Sequence, residues 1–191
     1  STAGLGTVVD DGTGGYFAAN NNTAGSSVPA NLRLDDDRPL TVGNITVNEG
    51  SPKAVFTVTG APGQVALLAL GNAAAANPAG DAIGGNAALG TTLPTLQYYN
   101  PAGSGSWENY DANNPPVLTA AGNLLVRVSI TPESDGVFDG PETFQLRATN
   151  TGNSTGVGTA TILDDGTGSY WIADATAPAT PAQLEAASIK L

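Results

Sequence analysis

Asp10-Asp11-Gly12-Thr13-Gly14 recurs as Asp164-Asp165-Gly166-Thr167-Gly168, an offset of 154 from Asp10 to Asp164. The match extends in both directions. Gly4, Thr7, Val8 and Val9 find Gly158, Thr161, Ile162 and Leu163, and Tyr16-Phe17 find Tyr170-Trp171 at the same offset. Pro29-Ala30-Asn31-Leu32 resembles Pro181-Ala182-Gln183-Leu184 at an offset of 152, from Pro29 to Pro181. Self-similarity at a long fixed period marks a tandem array in which each unit folds the same way. The sequence therefore reads as the tail of one repeat and a linker over 1–37, a complete unit over 38–166, and a stretch over 167–191 leading toward the next repeat, with Ala186 to Leu191 read as a cloning remnant.

What kind of unit repeats follows from periodicity and turn chemistry. Ile45 and Val47, then Val55, Thr57 and Thr59 interleaved with Ala54, Phe56 and Val58, are β-branched-rich runs separated by Asn48-Glu49-Gly50-Ser51-Pro52, a turn sequence. Val65 to Leu70 is a short continuous apolar run of the kind that fills a buried strand. Leu124 to Ile130, Thr143 to Thr149 and Val157 to Leu163 complete the set, and no convincing amphipathic helix is visible. The stretch 71–116 is rich in Asn, Ala, Gly and Pro. A loop of that length is uncommon in a compact domain, so either a short strand around Leu96 to Tyr99 lies within it or the loop serves a function of its own. About seven strands with turns between them predict an all-β fold, an immunoglobulin-like antiparallel β-sandwich.

Composition narrows the chemistry. The chain has no Cys and no His, which removes disulfides, Ser-His-Asp and Cys-His catalysis, and the usual zinc and iron ligand sets. Seventeen acidic against six basic residues leave a net charge of −11, which repels nucleic acid and anionic lipid. No stretch approaches the ~20 apolar residues of a membrane span, and the amino terminus lacks the pattern of a secretory signal. Neither nucleic-acid binding nor membrane insertion is expected. Two carboxylates could hydrolyse glycosides without His, but the nucleophile and base pairs of most enzymes are missing, and the chain is read as non-enzymatic.

The acids gather where strands end. Glu49 lies between the first two strands, Asp111 in the long loop, Asp135, Asp139 and Glu142 before the Thr143 strand, and Asp164 and Asp165 after the last one. In a sandwich such turns can converge on one pole, where crowded carboxylates repel unless a cation lies between them. Calcium fits best, since it takes about six to eight oxygen ligands in flexible geometry. An EF-hand reading of Asp135, Asp139 and Gly140 fails because Val137 and Leu146 fall on ligand positions and no helices flank the turn. Each acid taken singly reads first as a turn former or a solvated charge, and only the set as a whole points to a cation.

A family resemblance enters at these residues. Val47-Asn48-Glu49-Gly50, Asn109-Tyr110-Asp111, the run Asp135 to Leu146 (DGVFDGPETFQL) and Ala160-Thr161-Ile162-Leu163-Asp164-Asp165 resemble successive motifs of the Calx-β domain over about residues 40–166. The resemblance implies a calcium-binding sandwich with Glu49, Asp111, Asp135, Asp139, Glu142, Asp164 and Asp165 as ligands. Ser134 and Gly166 replace further acids of calcium-binding members, Asp139 replaces a Glu, and Asp111 follows its Tyr instead of preceding it. Fewer ions or weaker binding are implied.

Abundant Gly, Ala, Asn and Thr with scarce Lys resembles large secreted bacterial surface proteins, and an RTX-type adhesin is the host that the resemblance implies. The expected function is a calcium-stiffened spacer, monomeric when isolated, whose partners are neighbouring repeats. Asp10, Asp11, Asp35, Asp36 and Asp37 are candidates for a second calcium cluster at the junction between repeats; the alternative is a soluble hinge, with Arg38 neutralising part of the acidic run. Tyr98, Tyr99, Trp107 and Tyr110, in loop 96–111, are the candidates for a rival function, binding of a cell-surface glycan or protein. The bland reading of the same aromatics is that they pin the loop to the sandwich.

Overall fold

The computed structural model describes residues 3–9, 14–17, 36–73, 85–87, 89, 92–130 and 140–190. Among these residues ten strands form a sandwich of two five-stranded sheets: β1 (Thr41–Val42), β2 (Ile45–Asn48), β3 (Lys53–Thr59), β4 (Leu67–Gly71), β5 (Gly85–Asn86), β6 (Gln97–Asn100), β7 (Ser106–Asn109), β8 (Asn123–Ser129), β9 (Glu142–Thr149) and β10 (Thr155–Leu163). The first sheet has the order β1-β3-β8-β6-β7, and the second β2-β10-β9-β4, with β5 joining β9 beside β4. The fold is an all-β sandwich. Two pairings are parallel, β2 with β10 and β5 with β9, so the second sheet is mixed.

Alternation explains the layers. In β3, Ala54, Phe56 and Val58 are buried while Thr57 and Thr59 are exposed; in β8, Leu124, Val126 and Val128 point inward opposite them. From the second sheet Phe144, Leu146 and Ala148 of β9 and Ala160 of β10 close the core. Phe56 and Phe144 meet edge to face between the sheets, ring centres 5.7 Å apart, the geometry that the aromatic quadrupole favours.

The sheets approach most closely where β1 crosses β10. A Cβ on Gly158 would lie 2.6 Å from the Gly43 carbonyl oxygen and from Val42 Cγ1, and one on Gly156 would overlap the Leu40 carbonyl. Only glycine allows the contact. The apolar run Val65 to Leu70 divides: Val65 bridges Val117, and β4 begins at Leu67.

Residues after β10 continue on the sandwich. Gly168 takes φ +93, with room for no Cβ against Val47, and Ser169 exchanges backbone hydrogen bonds with Thr46 and Asn48 on the side of β2 away from β10. Trp171 then packs against the core, its N–H donating to Ser51 Oγ at 3.1 Å. The chain reaches the outer face of the first sheet at Ala173 and Asp174. It ends in a helix that the sequence reading did not anticipate, α1 (Pro181–Ala186), capped by Thr180 with Gln183 closing a capping box and Pro181 in the first turn. The stretch 167–174 is thus a strap over its own sandwich.

Candidate functional site

Parallel pairing of β2 with β10 sets Asn48 opposite Leu163, so Glu49 and Asp164 leave the sheet at the same end. Glu49 N–H donates to the Leu163 carbonyl at 3.0 Å. Antiparallel β9 enters there too, with Glu142 opposite Ile162. Glu49, Glu142, Asp164 and Asp165 therefore share one pole, the first three half-buried and Asp165 exposed. Asp135 and Asp139 lie outside the described residues. Among the described residues, no three acidic side chains stand close enough to hold a metal ion.

Asp165 and Asp111 each hold a turn. Asp165 Oδ1 accepts from Thr167 N–H at 2.9 Å and from the Thr167 hydroxyl. The hydroxyl first, and then the backbone amide, hold its carboxyl below the usual aspartate range. Asp111 follows β7, the far edge strand of the other sheet, and caps its own turn by accepting from Asn113 N–H at 2.9 Å and Asn113 Nδ2 at 3.2 Å. A residue that the sequence reading placed in a turn and gave no part in the site ties the pole together. Asn48, 3% exposed, accepts from Gly50 N–H and donates to the Thr167 carbonyl, joining the β2 turn to the turn after β10. An Asn between a strand and Glu-Gly was the available signal.

Of the second acidic cluster, Asp10, Asp11 and Asp35 lie outside the described residues. Asp36 is 5% exposed, and Arg38 grips both its oxygens, Nε to Oδ1 at 2.9 Å and Nη2 to Oδ2 at 2.6 Å. The exposed Asp37 offers its carbonyl to Asn150. Asp36 thus has a protein cation as its partner.

The four aromatics do not make one platform. Register sets Tyr99 opposite Trp107 on the outer face of the first sheet, their rings 5.6 Å apart and edge to face. Tyr98 points to the inner side, where its hydroxyl donates to Glu108 at 2.8 Å. That bond and burial raise the phenol, while Ser104 and Tyr98 lower the Glu108 carboxyl. Tyr110 packs on the core, and its oxygen accepts from Leu68 N–H at 3.1 Å, tying the first sheet to β4 of the second.

Arg127, which the sequence reading did not single out, organises the outer face. It is 7% exposed on β8, stacked 4.5 Å from the Trp107 ring centre, and donates to Gln97 Oε1, the Ala173 carbonyl and Asp174 Oδ1. Trp107 Nε1 donates to the Asp174 carbonyl at 3.1 Å. Nearby Lys53 is lowered by burial and then by the Arg127 charge, with Asp174 opposing. Separately, an open groove of about 810 Å³ runs between Tyr98, Tyr99 and Asn100 and the segment of Pro115 and Val117. Val117 is 53% exposed along it.

No family model matches this chain, and no curated protein matches it.

Proposed function

We propose that the chain is a non-enzymatic spacer module of a tandem-repeat protein, secreted or held at a bacterial cell surface, that takes up calcium at the pole of Glu49, Glu142, Asp164 and Asp165. The observation that carries this reading is the in-register parallel pairing of β2 with β10, which gives Glu49 and Asp164 a common exit beside Glu142. Among the described residues no three acids stand close enough to hold an ion, so the oxygen shell that calcium takes would also need Asp135 and Asp139, a few residues before Glu142 in sequence. The Calx-β-like motifs named above support the same residues. With neither Cys nor His in the sequence, the reading of the unit as mechanical agrees with its repetition.

Titration calorimetry tests the metal. Calcium heats should be saturable, abolished by chelator and weakened in Asp135→Asn and Asp164→Asn. Unsaturable heats, identical in parent and variants, would remove calcium from the proposal.

The groove beside Tyr98 and Tyr99 favours a second reading, a module that binds a glycan or peptide, because Val117 leaves an apolar wall in solvent there. Glycan-array or peptide binding lost in Tyr99→Ala with the fold intact would support it over a plain spacer.

A further inference from the structure

We infer that residues 3–9 are the last strand of a second sandwich of this kind, filling the slot between the counterparts of β2 and β9 in a preceding module. This deepens the tandem-repeat reading and rests on it, but not on calcium. Three observations carry it.

The first is steric. At the offset of 154, Gly4 matches Gly158 and Gly6 matches Ala160. Gly158 has to be glycine, because Gly43 and Val42 lie where its Cβ would be, and Ala160 is 0% exposed. Among the described residues nothing lies within 4 Å of a Cβ at Gly4 or Gly6. None of those residues calls for small side chains there; the β10 slot does.

The second is burial. Ile162 and Leu163 are half-buried in the sheet, whereas their counterparts Val8 and Val9 are 99% and 44% exposed, and Leu5 is 97% exposed. Trp171 packs on the core, and its counterpart Phe17 is 55% exposed. Leu5 and Val8 stand almost wholly in water, as apolar side chains do on a segment that lacks its packing partner. Among the described residues no strand pairs with 3–9.

The third is backbone shape. Gly14 and its counterpart Gly168 both take positive φ, +102 and +93. At Gly168 that conformation lays the chain against the backbone of Val47 and Asn48, whereas among the described residues a Cβ on Gly14 would meet only Val9 Cγ2.

The partner is specific. β10 is a central strand, bonded to β2 on one side and β9 on the other, so the slot takes a segment that is small at 158 and 160 and apolar at 162 and 163. A second copy of this chain has its slot filled by its own β10. The occupant is therefore continuous with a sandwich that lies before it.

The test extends the full chain by placing residues 38–154 directly before Ser1, so that the added β1 to β9 lead into residues 1–17. Amides of residues 5–9 should exchange at least a hundredfold more slowly in the extended chain than in the 191-residue chain. Gly4→Val should leave the melting of the 191-residue chain unchanged but abolish the front transition of the extended one, as should scrambling residues 3–9. If amides 5–9 exchange equally fast in both chains, or if Gly4→Val is harmless in the extended chain, the inference is wrong. Both chains are measured with EDTA and with calcium. A calcium-independent protection of 5–9 would uphold the strand assignment even if the metal reading failed.

Discussion

Arg127 and Asp174 meet on the outer face of the first sheet, Nη1 2.8 Å from Oδ1, although the arginine side chain is 8% exposed and the aspartate 83%. The buried partner holds the contact: Arg127 also holds Gln97, the Ala173 carbonyl and the Trp107 face, so the strap docks onto a guanidinium already fixed in place.

Asp174→Ala should therefore cost no more than about 1 kcal/mol, since an ion pair with one exposed partner is screened by water. Arg127→Ala should cost about 2 kcal/mol through lost stacking and hydrogen bonds. Arg127→Lys should rescue little, because an ammonium cannot reach Gln97 and the strap together. Urea unfolding gives the ordering, and limited proteolysis between 167 and 180 should accelerate only in the arginine variants.

Gly158→Ala should destabilise by about 2 kcal/mol or more, because the added methyl would meet Gly43 backbone, which cannot rotate away. Gly168→Ala should also be costly, since it combines positive φ with contact to the Val47 backbone. Thermal melts of both against Gly63→Ala, which has positive φ but open space, separate the steric part from the conformational part.

Tyr110→Phe should cost about 1 to 2 kcal/mol by leaving the Leu68 amide without its acceptor. The loss is local. Hydrogen exchange at Leu68 should quicken well beyond the change at Val126, in the middle of β8. Equal acceleration at both sites would mean that the hydroxyl does not tie the sheets together.

Asp165 carries a pH signature. Its folded-state carboxyl sits below the ordinary aspartate range, held there by the Thr167 hydroxyl and amide. A depressed folded value means that its contribution to stability is present above the unfolded pKa and fades as pH falls through the folded one. Carboxyl-carbon NMR should show Asp165 titrating below ordinary aspartates, and Thr167→Val should move its midpoint up. An unmoved midpoint would leave the hydroxyl without the role assigned to it.

The sequence alone determined the class of fold and several of its parts. β-branched alternation in Ala54 to Thr59 and Leu124 to Ile130 wrote β3 and β8 with their buried faces, because side-chain direction in a strand is fixed by a period of two. The recurrence of Gly4 to Gly14 at 154 was equally legible. Strand-end acids are legible one by one, and the Thr180-Pro181-Ala182-Gln183 box that caps α1 is equally a local signal.

Tertiary structure alone decided what stands beside what. Only the pairing of β2 with β10, flanked by hydrogen bonds between residues 119 apart in sequence (Asn48 with Thr167) and 115 apart (Asn44 with Thr159), brought Glu49 to Asp164, and only the edge position of β7 kept Asp111 with its own turn. The same holds for the strap: nothing local in Asp174 points to Arg127, 47 residues earlier. Local sequence fixes backbone shape and the face a side chain takes. Which faces meet depends on how two sheets pack to exclude water, a property of the whole chain.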